Sequence, residues 1–85
     1  MFSVELSQKS AKFLDKLDKH LSDRIKEKLK SLPHTPVPSD AKFISRDDKG
    51  KNFRIRIGDY RALYKLKENG VILVAKIDKR PRVYE

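Results

Sequence analysis

The segment NFRIRIGDYRALYKLK, residues 52–67, decides the fold predicted for this chain. Its first half alternates apolar side chains with arginines, which is the two-residue period of a strand with one buried face. Gly58-Asp59 then forms a two-residue hairpin loop, with glycine first as a type II′ turn prefers. This loop places Arg56 directly opposite Arg61, and like charges that face each other destabilise a pair of strands. The basic side of the hairpin is therefore predicted to bind an anion.

The basic side of this hairpin carries the first group of candidate site residues, namely Arg54, Arg56, Arg61 and Lys65. No acidic residue occupies the matching positions of the two strands, and we expect this face of the sheet to be open or covered only partly. A guanidinium group suits phosphate because it donates paired hydrogen bonds and stays charged at any working pH. The alternative interpretation is the ordinary solvated face of a half-buried sheet.

Composition limits the class of protein. The 85 residues predict a single domain, residues 1–85, with a net charge of +9. Such a charge attracts polyanions, of which nucleic acid is the commonest, while an anionic membrane surface or an acidic protein would also neutralise it. Without cysteine and with only His20 and His34, the chain predicts no disulfide and no metal or other cofactor. Since neither a membrane span nor a signal peptide is recognisable, we expect a cytoplasmic protein.

Hydrophobic periodicity predicts a strand at residues 2–6 followed by two helices. Ser7 and Asp18 are placed to cap the helices, and Pro33 ends the second one. Each helix has one apolar stripe, so the pair is expected to lay one side on a flat sheet. After a proline-rich link, residues 41–45 are a candidate edge strand.

The later segments complete the predicted sheet. Residues 46–51 predict a solvated turn before the hairpin, and residues 71–75, VILVA, predict a central strand covered on both faces. The order of elements predicts an α+β fold, in which an antiparallel sheet of about four strands carries the two N-terminal helices on one face. The first strand is expected at the edge of the sheet or beside the last strand.

The C-terminal sequence KRPRVY, residues 79–84, is the second candidate site. The alternative interpretation of this segment is a frayed basic terminus. However, Pro81 restricts the backbone, and an aromatic residue beside Arg80 and Arg82 suits base stacking or phosphate chemistry. Tyr84 is therefore a candidate site residue.

The other polar and aromatic residues are assigned structural roles. Both histidines are predicted to lie on the surface, while Tyr60 and Tyr64 fall on the apolar side of the hairpin and are predicted to be core residues. Aspartate is common in turns for its local hydrogen bonds alone, so no carboxylate metal site is predicted. The aspartates in predicted turns are Asp47, Asp48 and Asp59.

These residues together resemble the toxins of the RelE/ParE superfamily, and most of all the RelE type. The similarity covers nearly the whole chain, and its most specific part is the pattern FRIRIGDYRALY followed by KRPRVY. The resemblance implies a small twisted antiparallel sheet with two N-terminal helices packed on it. It also implies a ribosome-dependent endoribonuclease that cuts mRNA in the ribosomal A site without metal, as the ribose 2′-OH attacks the adjacent phosphate.

The resemblance assigns catalytic roles by position. Arg61 would stabilise charge on the scissile phosphate, and Arg80 would bind the phosphate or help the leaving group. Tyr84 would stack on a base or assist proton transfer, although the spacing from Arg80 to Tyr84 is shorter here than in the bacterial pattern. The general base is left open by the sequence, and Tyr84, with a pKa lowered by surrounding cations, is one candidate.

The resemblance also assigns phosphate-binding roles, with one departure from the family pattern. Arg54 and Arg56 stand where well-known members have lysines. Because arginine effectively cannot lose its proton, these two residues are expected to bind phosphate rather than act as a base. Lys65 and Arg82 complete the predicted RNA-binding set.

The resemblance implies a partner and leaves two alternatives open. Toxins of this group are made with an antitoxin that is often acidic and partly disordered, which suits a chain of net charge +9. A ParE-like poison of DNA gyrase would use the same fold without needing the tail arginine and tyrosine. A non-catalytic RNA-binding protein would bind RNA with a strong salt dependence and never cut it.

Overall fold

A computed structural model describes residues 2–79 of the chain. Its elements, in chain order, are β1 (Ser3–Leu6), α1 (Gln8–Lys16), α2 (Lys19–Lys30), β2 (Ala41–Asp47), β3 (Gly50–Ile57), β4 (Tyr60–Lys67) and β5 (Val71–Lys79). The strands form one sheet in the order β1-β5-β4-β3-β2. The predicted α+β class is confirmed, and the sheet described here has five strands rather than about four.

β1 occupies one edge of the sheet and runs parallel to β5, with Leu6 opposite Val74. All the other neighbouring strands are antiparallel. Both expectations for the first strand are confirmed, because the place beside the last strand is also an edge. Parallel strands need a long connection, which the helices and the intervening strands provide.

The β3–β4 hairpin has the predicted loop and register. Ile57 is opposite Tyr60, and Arg56 is opposite Arg61. Gly58 has a φ of 60°, a conformation that glycine adopts without steric cost, and no other type of residue in the described chain has a positive φ. A type I′ loop would require positive φ at its second residue as well, so the geometry fits the predicted type II′ loop.

Both helices begin at their predicted caps and bury their apolar stripes on the sheet. The Ser7 side chain accepts a hydrogen bond from the backbone N–H of Ser10 (3.1 Å), and Asp18 accepts one from that of His20 (3.1 Å). Fully burying an aliphatic side chain contributes about 1.5–3 kcal/mol, so this layer supplies much of the folding free energy. The buried apolar residues are Leu14, Ile25, Leu29 and Leu32 from the helical layer and Phe53, Ile55, Ile57, Ala62, Tyr64, Ile72, Val74 and Ile77 from the sheet.

Tyr64 lies in this core, as predicted. It is 1% exposed and stacks on Phe53, with the ring centroids 5.5 Å apart. Its hydroxyl donates to the carbonyl of Pro36 (2.8 Å), which fastens the proline-rich link to the sheet. Burial, with a smaller effect of Asp40, raises the pKa of Tyr64 to about 12, so the phenol is a neutral donor at physiological pH. Tyr60 is half-buried against the same core, also as predicted.

β2 is the predicted edge strand, but it extends beyond residues 41–45. It continues to Asp47, so the turn that follows is shorter than the predicted turn at residues 46–51. β3 starts immediately afterwards at Gly50. A Cβ atom at this position would collide with the backbone carbonyl of Leu66 on β4, so the close approach of the two strands requires glycine.

β5 differs from the predicted strand covered on both faces. Ile72 and Val74 are buried under the helices, whereas Leu73 is only half-buried and Ala75 is exposed. The strand therefore lies inside the sheet with one face covered. The next buried residue after Val74 is Ile77, three positions on instead of two, because a β-bulge at Ala75 shifts the register against β4.

The first turn of α1 is docked on this bulge. The hydroxyl of Ser7 donates to the carbonyl of Ala75 (2.8 Å), and the hydroxyl of Ser10 donates to the carbonyl of Val74 (2.9 Å). The backbone N–H of Ser7 also donates to Val74 (3.0 Å). Ser10 is fully buried, and a hydrogen bond of this kind contributes about 1 kcal/mol. The cap of α1 thus fixes the register of β5.

Candidate nucleic-acid interface

The sheet face turned away from the helices is called the open face. Alternate residues of β3, β4 and β5 form it, and they include Arg54, Arg56, Arg61, Leu63, Lys65, Lys76 and Asp78. The cations predicted from the hairpin therefore share one surface. Arg56 is exposed and Arg54 and Arg61 are half-buried, so a ligand can reach them from solvent.

One row of the open face runs across three strands. Arg56 on β3 is opposite Arg61 on β4, and Arg61 is opposite Asp78 on β5. The Nε–H of Arg61 donates to Oδ1 of Asp78 over 2.9 Å, and Nζ of Lys76 lies 3.5 Å from Oδ2 of the same carboxylate. The hairpin strands have no acidic residue here, but β5 supplies one. The carboxylate that pairs with Arg61 therefore comes from outside the hairpin.

The bulge at Ala75 explains why Asp78 is missed when the sequence is considered alone. Strict alternation after Val74 would put Asp78 on the helix side and Ile77 opposite Arg61. The extra residue reverses this order, so that Ile77 is buried and Asp78 faces Arg61. The available sequence signal is the spacing of the two buried apolar residues, which is three instead of two.

Lys65, a predicted phosphate ligand, is held by a carboxylate. Its Nζ pairs with Oδ2 of Asp47, and 18% of the lysine side chain is exposed. Oδ1 of Asp47 accepts hydrogen bonds from the backbone N–H groups of Lys49 (2.9 Å) and Gly50 (3.2 Å). Asp47 therefore has the turn role predicted for it and an ion pair in addition. Lys65 is thus part of an ion pair, which offsets its charge towards a phosphate.

We expect the pair of Asp47 and Lys65 to make a small, acid-sensitive contribution to stability. The hydrogen bond from Lys65, followed by that from the Lys49 backbone, lowers the pKa of Asp47 from 3.8 to about 2. A carboxyl group whose pKa is lower in the folded state stabilises the fold above its unfolded pKa, and this contribution is lost as the pH falls from about 4 through about 2. Because the pair is partly exposed, solvent screening keeps the effect small.

NMR titration of the side-chain carboxyl carbons measures the pKa of Asp47 in the folded protein directly. The free energies of unfolding of the wild type and Asp47→Asn should differ at about pH 6 and converge below about pH 2. Asp48→Asn removes the same charge from the same turn and serves as the control. A titration midpoint for Asp47 at its ordinary value, or a difference between the two proteins that persists at the lowest pH, contradicts the assignment.

A groove beside Arg56 extends the basic surface towards α2. Its volume is about 520 Å³, and its lining includes the cations of Arg24 and Lys28 together with the carboxylates of Glu27 and Asp40. Lys28 is paired with Asp40 over 3.0 Å. The cations of α2 lie far from the hairpin in sequence, so only the fold brings them to this end of the sheet.

Three predicted site residues, Arg80, Arg82 and Tyr84, lie outside the described residues. β5 is described as far as Lys79, which is opposite Tyr60 beside the hairpin loop. The described part of the chain therefore ends at the same end of the sheet as the row that contains Arg61.

The chemistry available within residues 2–79 is that of anion binding. His20 and His34 are both exposed, as predicted. In this range no group of three or more histidine or acidic side chains is arranged to hold a metal ion, and no helix is long and apolar enough to cross a membrane. The arginines of the open face donate hydrogen bonds and carry fixed charge, but they cannot accept a proton.

The family comparison agrees with this geometry. Residues 4–84 match the family model of the ParE toxin of the type II toxin–antitoxin system parDE. The fold is that of a small toxin with two helices on a basic sheet. The chain belongs to the RelE/ParE superfamily of toxins of type II toxin–antitoxin systems.

Individual relatives carry the RelE name. The proposed toxin RelE1 of Methanocaldococcus jannaschii is 31% identical over 87 residues, which cover 99% of this chain and 96% of that protein. A chain of the archaeal RelE–RelB complex of Pyrococcus horikoshii superposes with a TM-score of 0.86 at 28% identity, covering 96% of this chain and 98% of that one. The isolated E. coli RelE toxin has the same fold, with a TM-score of 0.75 at 19% identity over 99% of this chain and 89% of that one.

Proposed function

We propose that this toxin is a ribosome-dependent mRNA endoribonuclease. The observation that carries the proposal is the row of Arg56 and Arg61 on the open face, with Arg54 beside it, in a chain related to RelE toxins. This row presents guanidinium groups on a solvent-accessible sheet, where an RNA backbone can lie along them. The net charge of +9 speeds the encounter with such a polyanion.

The proposed reaction is an internal transesterification of the RNA. The ribose 2′-oxygen forms a bond to phosphorus while the bond from phosphorus to the 5′-oxygen of the next nucleotide breaks. The proton of the 2′-hydroxyl passes to a base, and the leaving 5′-oxygen takes up a proton. The products are a 2′,3′-cyclic phosphate and a 5′-hydroxyl, and no metal or other cofactor is assigned to the step.

Arg61 is assigned to the phosphate that reacts. Negative charge accumulates on the non-bridging oxygens in the transition state, and a guanidinium held in place beside them stabilises it. Arg61 is half-buried, so water screens its charge less than that of an exposed arginine. Arg80 is assigned to the leaving group and Tyr84 to base stacking or proton transfer, as in the family. Tyr64 is excluded as the base, because its hydroxyl is buried and donates to Pro36.

The remaining cations are assigned to the flanking phosphates. Arg54 and Arg56 bind and neutralise phosphate, and Lys65 joins them with a charge that Asp47 partly offsets. Arg82 is assigned to the same set. Arginine at the two hairpin positions makes this surface a phosphate clamp whose general base has to come from elsewhere.

The proposed regulation is by a cognate antitoxin. The relative from Pyrococcus horikoshii forms a RelE–RelB complex. An acidic, partly disordered partner would complement a chain of net charge +9 and keep the toxin inactive until it is removed. Ribosomes and mRNA place this activity in the cytoplasm.

Expression of the chain alone in cells, followed by mapping of transcript ends, tests the proposal. We expect new mRNA ends in translated regions that repeat with the codon phase, together with a fall in protein synthesis. Translation that continues unaffected, with transcripts intact, would reject the proposal. Codon-phased ends that also form when translation initiation is blocked would reject its ribosome dependence.

A poison of DNA gyrase is the second candidate, because the matching family model is that of the ParE toxin. It would require neither the ribonuclease geometry of Arg61 nor the tail residues Arg80 and Tyr84. Supercoiling and cleavage-complex assays with purified gyrase separate the two candidates. A double variant, Arg80→Ala with Tyr84→Ala, that remains toxic would favour the gyrase candidate.

A further inference from the structure

The carboxylate of Asp78 has a specific contact with the arginine assigned to the reacting phosphate. Oδ1 accepts the Nε–H of Arg61 over 2.9 Å, and the two side chains are 27% and 32% exposed. Oδ2 lies 3.5 Å from Nζ of Lys76. An acidic group at the centre of a surface that binds RNA repels the ligand, so its presence requires a reason.

We propose that Asp78 is a positioning residue for Arg61. This inference rests on the proposed function, since it concerns the orientation of the guanidinium in phosphate chemistry. A guanidinium has five N–H donors in a fixed plane. The bond to Asp78 uses the Nε–H, which is the guanidinium donor nearest the backbone, so it fixes the plane of the group. The terminal nitrogens are the part of the side chain that extends furthest from the backbone.

The residues on either side of Arg61 in the sheet show why its side chain needs a positioning contact. Arg56 is its Cα partner on β3, and repulsion between like charges directly across a ladder pushes the two side chains apart. Asp78 is its Cα partner on the other side, on β5. Arg61 therefore has repulsion on one side and attraction on the other, and both favour the same orientation.

The backbone is built to make this contact. Without the bulge at Ala75, Arg61 would be opposite Ile77, and the carboxylate would lie on the helix side. Ser7 and Ser10 hold the bulge from α1 through the carbonyls at positions 74 and 75. The contact between Asp78 and Arg61 is thus fixed by the packing of a helix on the other face of the sheet.

A positioning role predicts that loss of the carboxylate lowers both kcat and KM, for different reasons. Removal of the carboxylate lets the guanidinium move, so kcat falls, and it also removes a negative charge that repels RNA, so KM falls as well. A role as general base predicts a different pattern. Loss of the ionisable carboxyl group would then abolish kcat in Asp78→Asn as much as in Asp78→Ala. A role in folding alone predicts no change in either constant for the folded fraction.

Single-turnover and steady-state cleavage of mRNA on programmed ribosomes, with full-length toxin variants, tests the assignment. For Asp78→Ala we expect kcat to fall on the order of tenfold and KM to fall about twofold. Asp78→Asn keeps an oxygen that accepts the Nε–H, so its kcat should stay within about threefold of the wild type while KM falls to the same extent as in alanine. Asp59→Asn is the control, since it removes a charge from the exposed hairpin loop and should change neither constant.

The outcomes separate this inference from the proposed function. If Arg61→Ala still cuts at the wild-type rate, the assignment of Arg61 fails and the role of Asp78 fails with it. If Arg61→Ala is inactive while Asp78→Ala keeps the wild-type kcat, only the positioning role is overturned. A kcat for Asp78→Asn as low as that for Asp78→Ala, with a lost acidic limb in the pH profile, would overturn positioning in favour of general base catalysis.

Discussion

Replacement of Arg61 by alanine is expected to slow mRNA cleavage on ribosomes by on the order of 100- to 1,000-fold, the usual effect of removing one pre-positioned donor to a developing oxyanion. The loss should appear in kcat, because the guanidinium acts mainly on charge that develops in the transition state. Arg61→Lys keeps the charge but loses the planar pair of donors, so it should recover only part of the rate.

The matched control is Arg46→Ala. Arg46 is an exposed arginine on β2 whose Cα partner is Lys51, and alternation places both on the helix side of the sheet. This variant has the same net charge as Arg61→Ala and should cut at close to the wild-type rate. Both variants should keep the thermal unfolding midpoint of the wild type within a few degrees, because Asp78 retains Lys76 as a partner. Equal losses of activity in the two variants would show that charge alone matters, and would contradict the assignment of Arg61.

Replacement of Tyr64 by alanine is expected to destabilise the fold by about 3–5 kcal/mol, as for other large aromatic residues removed from a core. The side chain is 1% exposed, and the substitution removes both its stacking on Phe53 and its bond to Pro36. Since small domains have only about 5–15 kcal/mol of stability, the variant should unfold at a much lower urea concentration than the wild type. Urea unfolding followed by circular dichroism measures the change.

Tyr64→Phe separates packing from hydrogen bonding. It retains the ring and loses the hydroxyl that donates to the carbonyl of Pro36, so it should cost about 1 kcal/mol. It should also keep ribonuclease activity, because the tyrosine faces the helices and not the open face. A folded Tyr64→Phe protein that no longer cuts RNA would show that this residue, rather than the tail tyrosine, takes part in the chemistry.

Local sequence patterns were sufficient for the hairpin and for both helices. The loop at Gly58 fixes the register of β3 against β4, so the pairing of Arg56 with Arg61 follows from the sequence by counting. Ser7 and Asp18 begin the helices because their side chains satisfy N–H groups a few residues ahead. Each of these features depends on residues that are close in the chain.

Two features of the site that the sequence did not predict depend on residues distant in the chain. The bulge at Ala75 is held by serines almost 70 positions earlier, and alternation within β5 alone gives the wrong face for Asp78. The pair of Lys65 with Asp47 likewise joins β4 to the end of β2. As a result the sequence places Arg54, Arg56, Arg61 and Lys65 on one face of the sheet, but it does not reveal the carboxylates of Asp78 and Asp47 that pair with two of them.

The hairpin has arginines at two positions where well-known members of the family have lysines, so it offers no general base for the proposed reaction. The open face is proposed to bind phosphate, yet its arginines Arg54, Arg56 and Arg61 cannot take the proton of the 2′-hydroxyl. Tyr64 is committed to the core, and Asp78 is bound to Arg61. Tyr84 is therefore the residue proposed for proton transfer, while the sheet is proposed to supply binding and charge stabilisation.

The most direct test of the central claim is the chemistry of mRNA ends after purified toxin acts on programmed ribosomes. We expect cuts in the A-site codon that leave a 2′,3′-cyclic phosphate and a 5′-hydroxyl, with naked mRNA far more resistant and with cleavage by Arg61→Ala slowed on the order of 100-fold or more. Intact mRNA on ribosomes at toxin concentrations that stabilise cleavage complexes of DNA gyrase would contradict it.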